Sequence, residues 1–421
     1  MPQLGIEIVG PSGRHGDFRS QACRWEVRLG VISEPENIKA ILSTQFNDFE
    51  LGPKRYRDFS PFLGNGIFTI DGPAWKHSRE LLRPNFTKLQ LDSNLDTLEV
   101  HVEHLLAKIP RDRSTVDLQQ LFFKLTMDAS TEFLFGVSTN SLLSTSQDFG
   151  EAFSAAFEEA QWGVSLRPRL GKLNDFYTNR TFIQACKVVH QFVDELVQRA
   201  LSSSKALNAE KSSYCFLQEL AKDVKDRQEL RDHAINILIA GRDTTAGLLA
   251  TTFFILARRH DVWTELRRSV ETLQGRKPKL EELKDMKYLQ FILKEVLRLY
   301  PTTPLNNRHA ARDTSLPVGG GPDGKSRVLI RKNQRVTYAV YAMHRREDLF
   351  GSDAAEFRPE RWETLRPGWN YLPFNGGPRT CLGQQFALTE SAYVIVRLMQ
   401  EFSDIEARDS APFTEMLVLH T

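Results

Sequence analysis

Residues 373–383, PFNGGPRTCLG, set a lone cysteine, Cys381, where a run of glycine and proline ends and the helical pattern QQFALTESAYVIVRLMQEF begins. A lone cysteine is most often a small buried hydrophobe. Here glycines at 376, 377 and 383 let a bulky group approach the backbone. A helix start also favours the thiolate form of the sulfur. An anionic sulfur on such a loop reads as a metal ligand. A second constellation is LIAGRDTTAG, inside a long apolar helical pattern. Gly241, Asp243, Thr244 and Thr245 are poor interior helix residues, the glycine costing about 1 kcal/mol against alanine. Thr244 can bond the carbonyl one turn earlier and bend the helix, leaving a groove. With Asp243 beside it, an acid and an alcohol make a proton relay; a core helix with a few tolerated polar residues is the plainer alternative.

In KEVLRLYP, Glu295 and Arg298 sit three apart on one helical face. Exposed pairs of this kind are worth at most about 0.5 kcal/mol. Crowded by Ile292, Leu293, Val296 and Leu297, this pair reads as buried, and a buried pair needs further partners. Arg361 of FRPERW is the candidate third member. GGGPDGKS, residues 319–326, matches the phosphate-loop pattern letter for letter. That chemistry requires a helix after the loop, whereas the β-rich RVLIRKNQRV follows, so a surface hairpin turn is the better reading. Nucleotide binding stays as a remote alternative.

The elements that must position these groups are mostly helical. A chain of 421 residues allows two to three domains or one large one. A net charge of +2, without basic runs interleaved with aromatics, gives no footing for nucleic-acid binding. Cys23, Cys186, Cys215 and Cys381 are far apart and share no CxxC spacing, which suits a reducing compartment without zinc site or disulfide framework. The polar, glycine-dotted N-terminus lacks the apolar run of a signal peptide or membrane span. WEVRLGVIS, residues 25–33, alternates like a strand, and Ser33 with Glu36 predicts a capping box opening the helix ENIKAILSTQF. GPAWKHSRELLRPNF reads as a short helix cut by Pro84. Helical periodicity runs over 92–199 with a polar loop near 141–146, then LSSSKALNAEKSS, residues 201–213, forms a solvated connector. Two long helices follow over 230–259 and 280–300, the second stopped by Pro301. Short strands and turns occupy the chain from 302 to the cysteine, and the terminal TEMLVLHT reads as a strand that stops abruptly. The fold class is mainly α with a small β portion, in one large domain.

In chain order, GPAWKHSR, AGRDTT, Glu295-x-x-Arg298 with FRPERW, and FNGGPRTCLG resemble the cytochrome P450 superfamily, the haem-thiolate monooxygenases. SEPENIKAILSTQFNDF, LGNGIF, AGRDTTAGLL and NGGPRTCLGQQFALTE look closest to the fungal branch that hydroxylates n-alkanes and fatty acids. The resemblance covers residues 25–421 as one monooxygenase domain around haem, behind an unmatched polar segment 1–24. It implies that the membrane-anchor region upstream and the last strands downstream are cut short. It implies haem b with Cys381 as the axial thiolate ligand of iron, in a family whose thiolate pushes electron density toward O–O cleavage. Thr244 and Asp243 would supply protons on the oxygen side, and Gly241 would open space for dioxygen. Trp75, Arg79, Arg308 and Arg379 would neutralise the haem propionates, Phe374 would lie against the haem, and Glu295, Arg298 and Arg361 would hold the scaffold behind it. The implied substrate is a hydrophobic, lipid-like molecule (an alkane, a fatty acid or a secondary-metabolite chain). Ile235, Ile239 and Ala240, with TTPLNN opposite, are the expected groove wall. Electrons would come from NADPH through NADPH-cytochrome P450 reductase, docking near Lys76 and Arg366. The implied place is the cytosolic face of the endoplasmic reticulum membrane, with a peripheral or cytoplasmic protein as the alternative. The competing reading of the chain is a haem-binding but inactive truncated fragment.

Overall fold

The computed structural model describes residues 31–143, 149–171, 174, 179–203 and 214–409. Expectations for the N-terminal segment 1–24, residues 25–30 of the first strand, the loop at 144–146, the connector at 204–213 and the C-terminal strand lie outside the described residues. Helices dominate, as the periodicity predicts. The chain divides into two compact units, one formed by Met1–Gly52 with Lys294–Cys381 and the other by Pro53–Leu293 with Leu382–Thr421. The reading of one domain rested on the lack of an internal repeat and of a second fold beyond the connector at 201–213, and none of the three boundaries falls at that connector.

The first unit holds every described strand. β1 (Val31–Ile32), β2 (Phe49–Glu50), β3 (Leu305–Ala310) and β6 (Arg335–Ala339) form a sheet in the order β1-β6-β3-β2, parallel only between β1 and β6. Its apolar face packs Ile38, Ile41, Leu42, Tyr338, Met343 and Leu372 into one core. The predicted capping box does not form. The helix begins at Pro35 with Glu34 as N-cap and no side-chain cap bond. Proline's fixed φ suits the first helical position and sets the start by itself. β4 (Thr314–Gly320) and β5 (Ser326–Ile330) pair as an antiparallel hairpin, closed by the Gly319 amide on the Gly324 carbonyl at 2.7 Å. GGGPDGKS is therefore a hairpin turn followed by a strand, without the helix start that would cradle a phosphate.

The second unit is helical among its described residues. Asp226 caps the 30-residue Arg227–Leu256 helix by accepting from the Glu229 amide at 2.8 Å. Asp117 opens Leu118–Phe135 in the same way, and Gly136 closes it at φ 67, the left-handed conformation that glycine adopts without strain. Pro84 ends Gly72–Leu82 as expected, diverting the chain into a 3-10 turn over Arg83–Phe86. The single helix expected over 280–300 is two, Leu280–Asp285 and Lys287–Leu299, because Met286 leaves helical geometry at ψ 77. LGNGIF has a packing cause. A Cβ on Gly64 or Gly66 would lie 2.1 Å from the Asp232 carboxyl or the Asn236 amide, which bind this loop through Asn65 N and Phe68 N. Among the described residues no helix is long and apolar enough to cross a membrane.

Candidate functional site

The cysteine loop belongs to the first unit and is closed by its own backbone. The Phe374 carbonyl accepts from the Cys381 amide at 3.0 Å and from the Thr380 hydroxyl at 3.3 Å. Asn375 turns the chain at φ 63, donates from its amide to the Arg379 carbonyl and accepts from the Tyr338 hydroxyl. Cys381 is exposed at the end of this loop, whereas Cys186 and Cys215 are buried. Burial pushes the Cys186 thiol up to about 12 and raises Cys215 as well, so both keep their protons at neutral pH. Two of the three loop glycines have a packing cause within the protein. A Cβ on Gly377 would strike the Leu42 carbonyl at 1.9 Å, and one on Gly376 would meet the Trp369 ring at 2.8 Å. They let the loop pack onto its own unit; only Gly383, with Phe86 at 3.9 Å, leaves ordinary room for a side chain. Gly377→Ala combines that backbone clash with a φ of 67. It is expected to cost about 2 kcal/mol or more, read from the urea unfolding midpoint.

Glu295, Arg298 and Arg361 come together in the first unit, all three buried. Arg298 forks onto both oxygens of Glu295 at 2.8 and 2.9 Å, and Arg361 Nε reaches Oε1 at 2.8 Å. The Trp362 indole and the Arg358 amide also donate to this carboxylate, at 2.9 and 3.0 Å. Beyond Glu295, Arg298 donates to the carbonyls of His344, Ala354 and Glu356. Arg361 donates to the carbonyls of Phe350 and Asp353. Two guanidinium groups thus bind irregular chain that has no ladder of its own. Arg308, on β3, is buried beside Tyr338 and donates to the Asn307 carbonyl at 2.7 Å. Arg379 and Phe374 are half-buried in the cysteine loop.

In the helical unit, the Thr244 hydroxyl donates to the Ala240 carbonyl at 2.7 Å, the back-bond foreseen from its type. Asp243 turns to other partners. It accepts from Arg242 at 2.9 Å and from the Gln161 amide, and Arg242 also pairs with Glu158. Burial pushes the Asp243 carboxyl up to about 6, against the lowering pull of Arg242. The helix is buried over much of this stretch except along Ala240, Gly241, Thr244, Gly247, Ala250 and Thr251, one side left half-open. Gly241 lies against a neighbouring helix. A Cβ there would come within 3.1 Å of the Ser130 hydroxyl, so close helix packing accounts for the glycine, rather than open space alone. Trp75 is buried, with the Arg79 guanidinium 5.9 Å from its ring centre. Ile235 and Ile239, expected on a groove wall, belong to the fully packed core; Ala240 alone of the three is on the half-open face.

Several residues with a part in these arrangements were not singled out from sequence, Arg242 and Glu158 beside Asp243 among them. Trp362 follows Arg361 directly in FRPERW and could have been suspected. Gln161 and His344 carry no local signal, because their partners are 82 and 46 or fewer residues away in the chain. A haem-thiolate group suits the donors each unit offers. The first presents an exposed sulfur on a hydrogen-bonded loop and the cations Arg308 and Arg379. The second presents Arg79 against Trp75 and the half-open face around Thr244. The chain is 48% identical over 406 residues to the cytochrome P450 monooxygenase himC of Aspergillus japonicus, covering 93% of this chain and 72% of that protein. It is 48% identical over 399 residues to cytochrome P450 52A5 of Candida maltosa, covering 90% and 76%. It is 46% identical over 425 residues to cytochrome P450 52E1 of Candida apicola, covering 96% and 80%. Residues 25–420 match the cytochrome P450 family as a whole, and with these relatives the match shows that the chain belongs to the cytochrome P450 family.

Proposed function

We propose that this haem-dependent monooxygenase inserts one oxygen atom from dioxygen into an unactivated C–H bond of a hydrophobic, lipid-like substrate. Alkanes, fatty acids and the apolar chains of secondary metabolites are the candidate class. The observation that carries the reading is Cys381, exposed at the end of a loop closed by the Phe374 carbonyl. When bound, haem b supplies the activation of dioxygen. Cys381 would hold its iron through sulfur. Trp75, Arg79, Arg308 and Arg379 would neutralise the propionate charges. Thr244 and Asp243 supply protons. A carboxyl raised to about 6 keeps a protonated fraction near neutral pH and suits that task. Gln161 and Arg242 hold it in place. The small residues Ala240, Gly241 and Gly247 beside Thr244 offer an apolar surface, in keeping with a substrate that has few polar groups.

Electrons come from NADPH through a flavoprotein reductase, drawn to exposed cations such as Lys76 and to Arg366. The place of action is the cytosolic face of the endoplasmic reticulum membrane. Product analysis with a panel of alkanes, fatty acids and pathway lipids, in the presence of a reductase and NADPH, tests the substrate class. Absence of oxygenated product from every member would refute it. Thr244→Ala tests the proton step. Haem uptake is expected to stay unchanged, while the fraction of NADPH electrons appearing in product falls at least about tenfold and hydrogen peroxide accumulates. Coupling equal to that of the parent would remove Thr244 from the role.

A further inference from the structure

Arg298 and His344 clasp each other. The Arg298 guanidinium donates to the His344 carbonyl at 2.8 Å, and His344 Nδ1 lies 3.2 Å from the Arg298 carbonyl. That carbonyl belongs to the last turn of Lys287–Leu299, where the helix itself supplies no donor. The other ring nitrogen, Nε2, lies 2.9 Å from the Leu372 amide nitrogen. A backbone amide can only donate and a carbonyl can only accept, so the ring is neutral with its proton on Nδ1. The ring is fully buried, and burial drops its pKa to about 3, so it stays in this form throughout the working range.

Leu372 begins the cysteine loop. Its carbonyl accepts from the Asn375 amide at 3.1 Å, and Asn375 in turn binds the Arg379 carbonyl. The next link, Phe374, carries the carbonyl that receives the Cys381 amide. A continuous path of hydrogen bonds and short chain therefore runs from Glu295 through Arg298 and His344 to Leu372 and on to Cys381, all within one unit. None of the direct bonds of Glu295 or Arg361 reaches the loop past Leu372.

We propose that His344 is a positioning residue for the thiolate: as a neutral Nδ1–H imidazole it transmits the Glu295–Arg298 anchor to the Leu372 amide and so fixes where Cys381 presents its sulfur. The inference rests on Cys381 being the haem ligand. His344→Phe keeps a ring of similar size and removes both hydrogen bonds, whereas the amide oxygen of His344→Gln can still accept from Leu372. The haem-loaded protein and both variants are compared by amide hydrogen exchange at Leu372 and by the spectrum of the reduced carbon monoxide complex. In His344→Phe, Leu372 is expected to exchange at least about tenfold faster. Its spectrum is expected to shift from the red-shifted thiolate band toward the blue-shifted band of a lost thiolate. His344→Gln is expected to stay near the parent in both. A folded His344→Phe with parental Leu372 exchange, or with an undiminished thiolate band, overturns the proposal. If that variant does not fold, nitrogen NMR of histidine-labelled parent protein decides. A neutral ring protonated at Nδ1 supports the link, and an Nε2–H or doubly protonated ring overturns it. A parent protein with no thiolate band would defeat the ligand reading instead, while Leu372 exchange would still report on the histidine.

Discussion

Replacing Cys381 with alanine is expected to abolish the red-shifted Soret band of the reduced carbon monoxide complex while leaving the chain folded. The loop closes through the Cys381 amide, which alanine retains, and the side chain is exposed rather than packed in the core. The unfolding midpoint should move by no more than about 0.5 kcal/mol, the usual range for such sites. Alanine at Cys186 or Cys215 should do the reverse, leaving the band and lowering stability, because both sulfurs fill buried positions. A Cys381→Ala protein that keeps the thiolate band would refute the ligand assignment outright.

The second large effect is one of stability. Glu295→Ala leaves two buried guanidinium groups, Arg298 and Arg361, without their shared carboxylate, and an indole and an amide without their acceptor. Breaking a buried pair from one side costs about 3–5 kcal/mol, since a charge is left uncompensated away from water. Set against a total stability of about 5–15 kcal/mol for a typical domain, that loss is expected to leave little soluble, folded protein. Glu295→Gln should recover only a part, because one amide face turns a donor toward a donor. A urea midpoint for Glu295→Ala equal to the parent's would show that the network is decoration.

What the sequence disclosed was mostly local in origin. Thr244 bonds its own helix four residues back, Pro84 ends a helix because it lacks a donor, and the GGGPDGKS turn follows from the β-rich run after it. Glu295 and Arg298 are one helical turn apart, so their pairing was legible. The rest was decided by neighbours that the motif letters do not include. Ser33 and Glu36 had the letters of a capping box, but Pro35 between them sets the helix start. Gly376 and Gly377, read as room for a ligand, have in addition a packing cause in Trp369 and Leu42. Gly241 answers to Ser130, more than a hundred residues upstream. The split of the chain at Leu293 has no compositional mark, because it falls inside the apolar helix Lys287–Leu299, whereas the one at Cys381 follows a run of glycine and proline that was read as a ligand loop.

The chain between His344 and Arg361 has almost no regular structure, yet two arginines bind five of its carbonyls from inside. Such a segment has few ways to fray. Each contact shares the same two side chains, so loosening one end withdraws donors from the other, and opening is all-or-none rather than gradual. Because the anchoring charges are sealed from bulk ions, dissolved salt should scarcely alter when that opening happens.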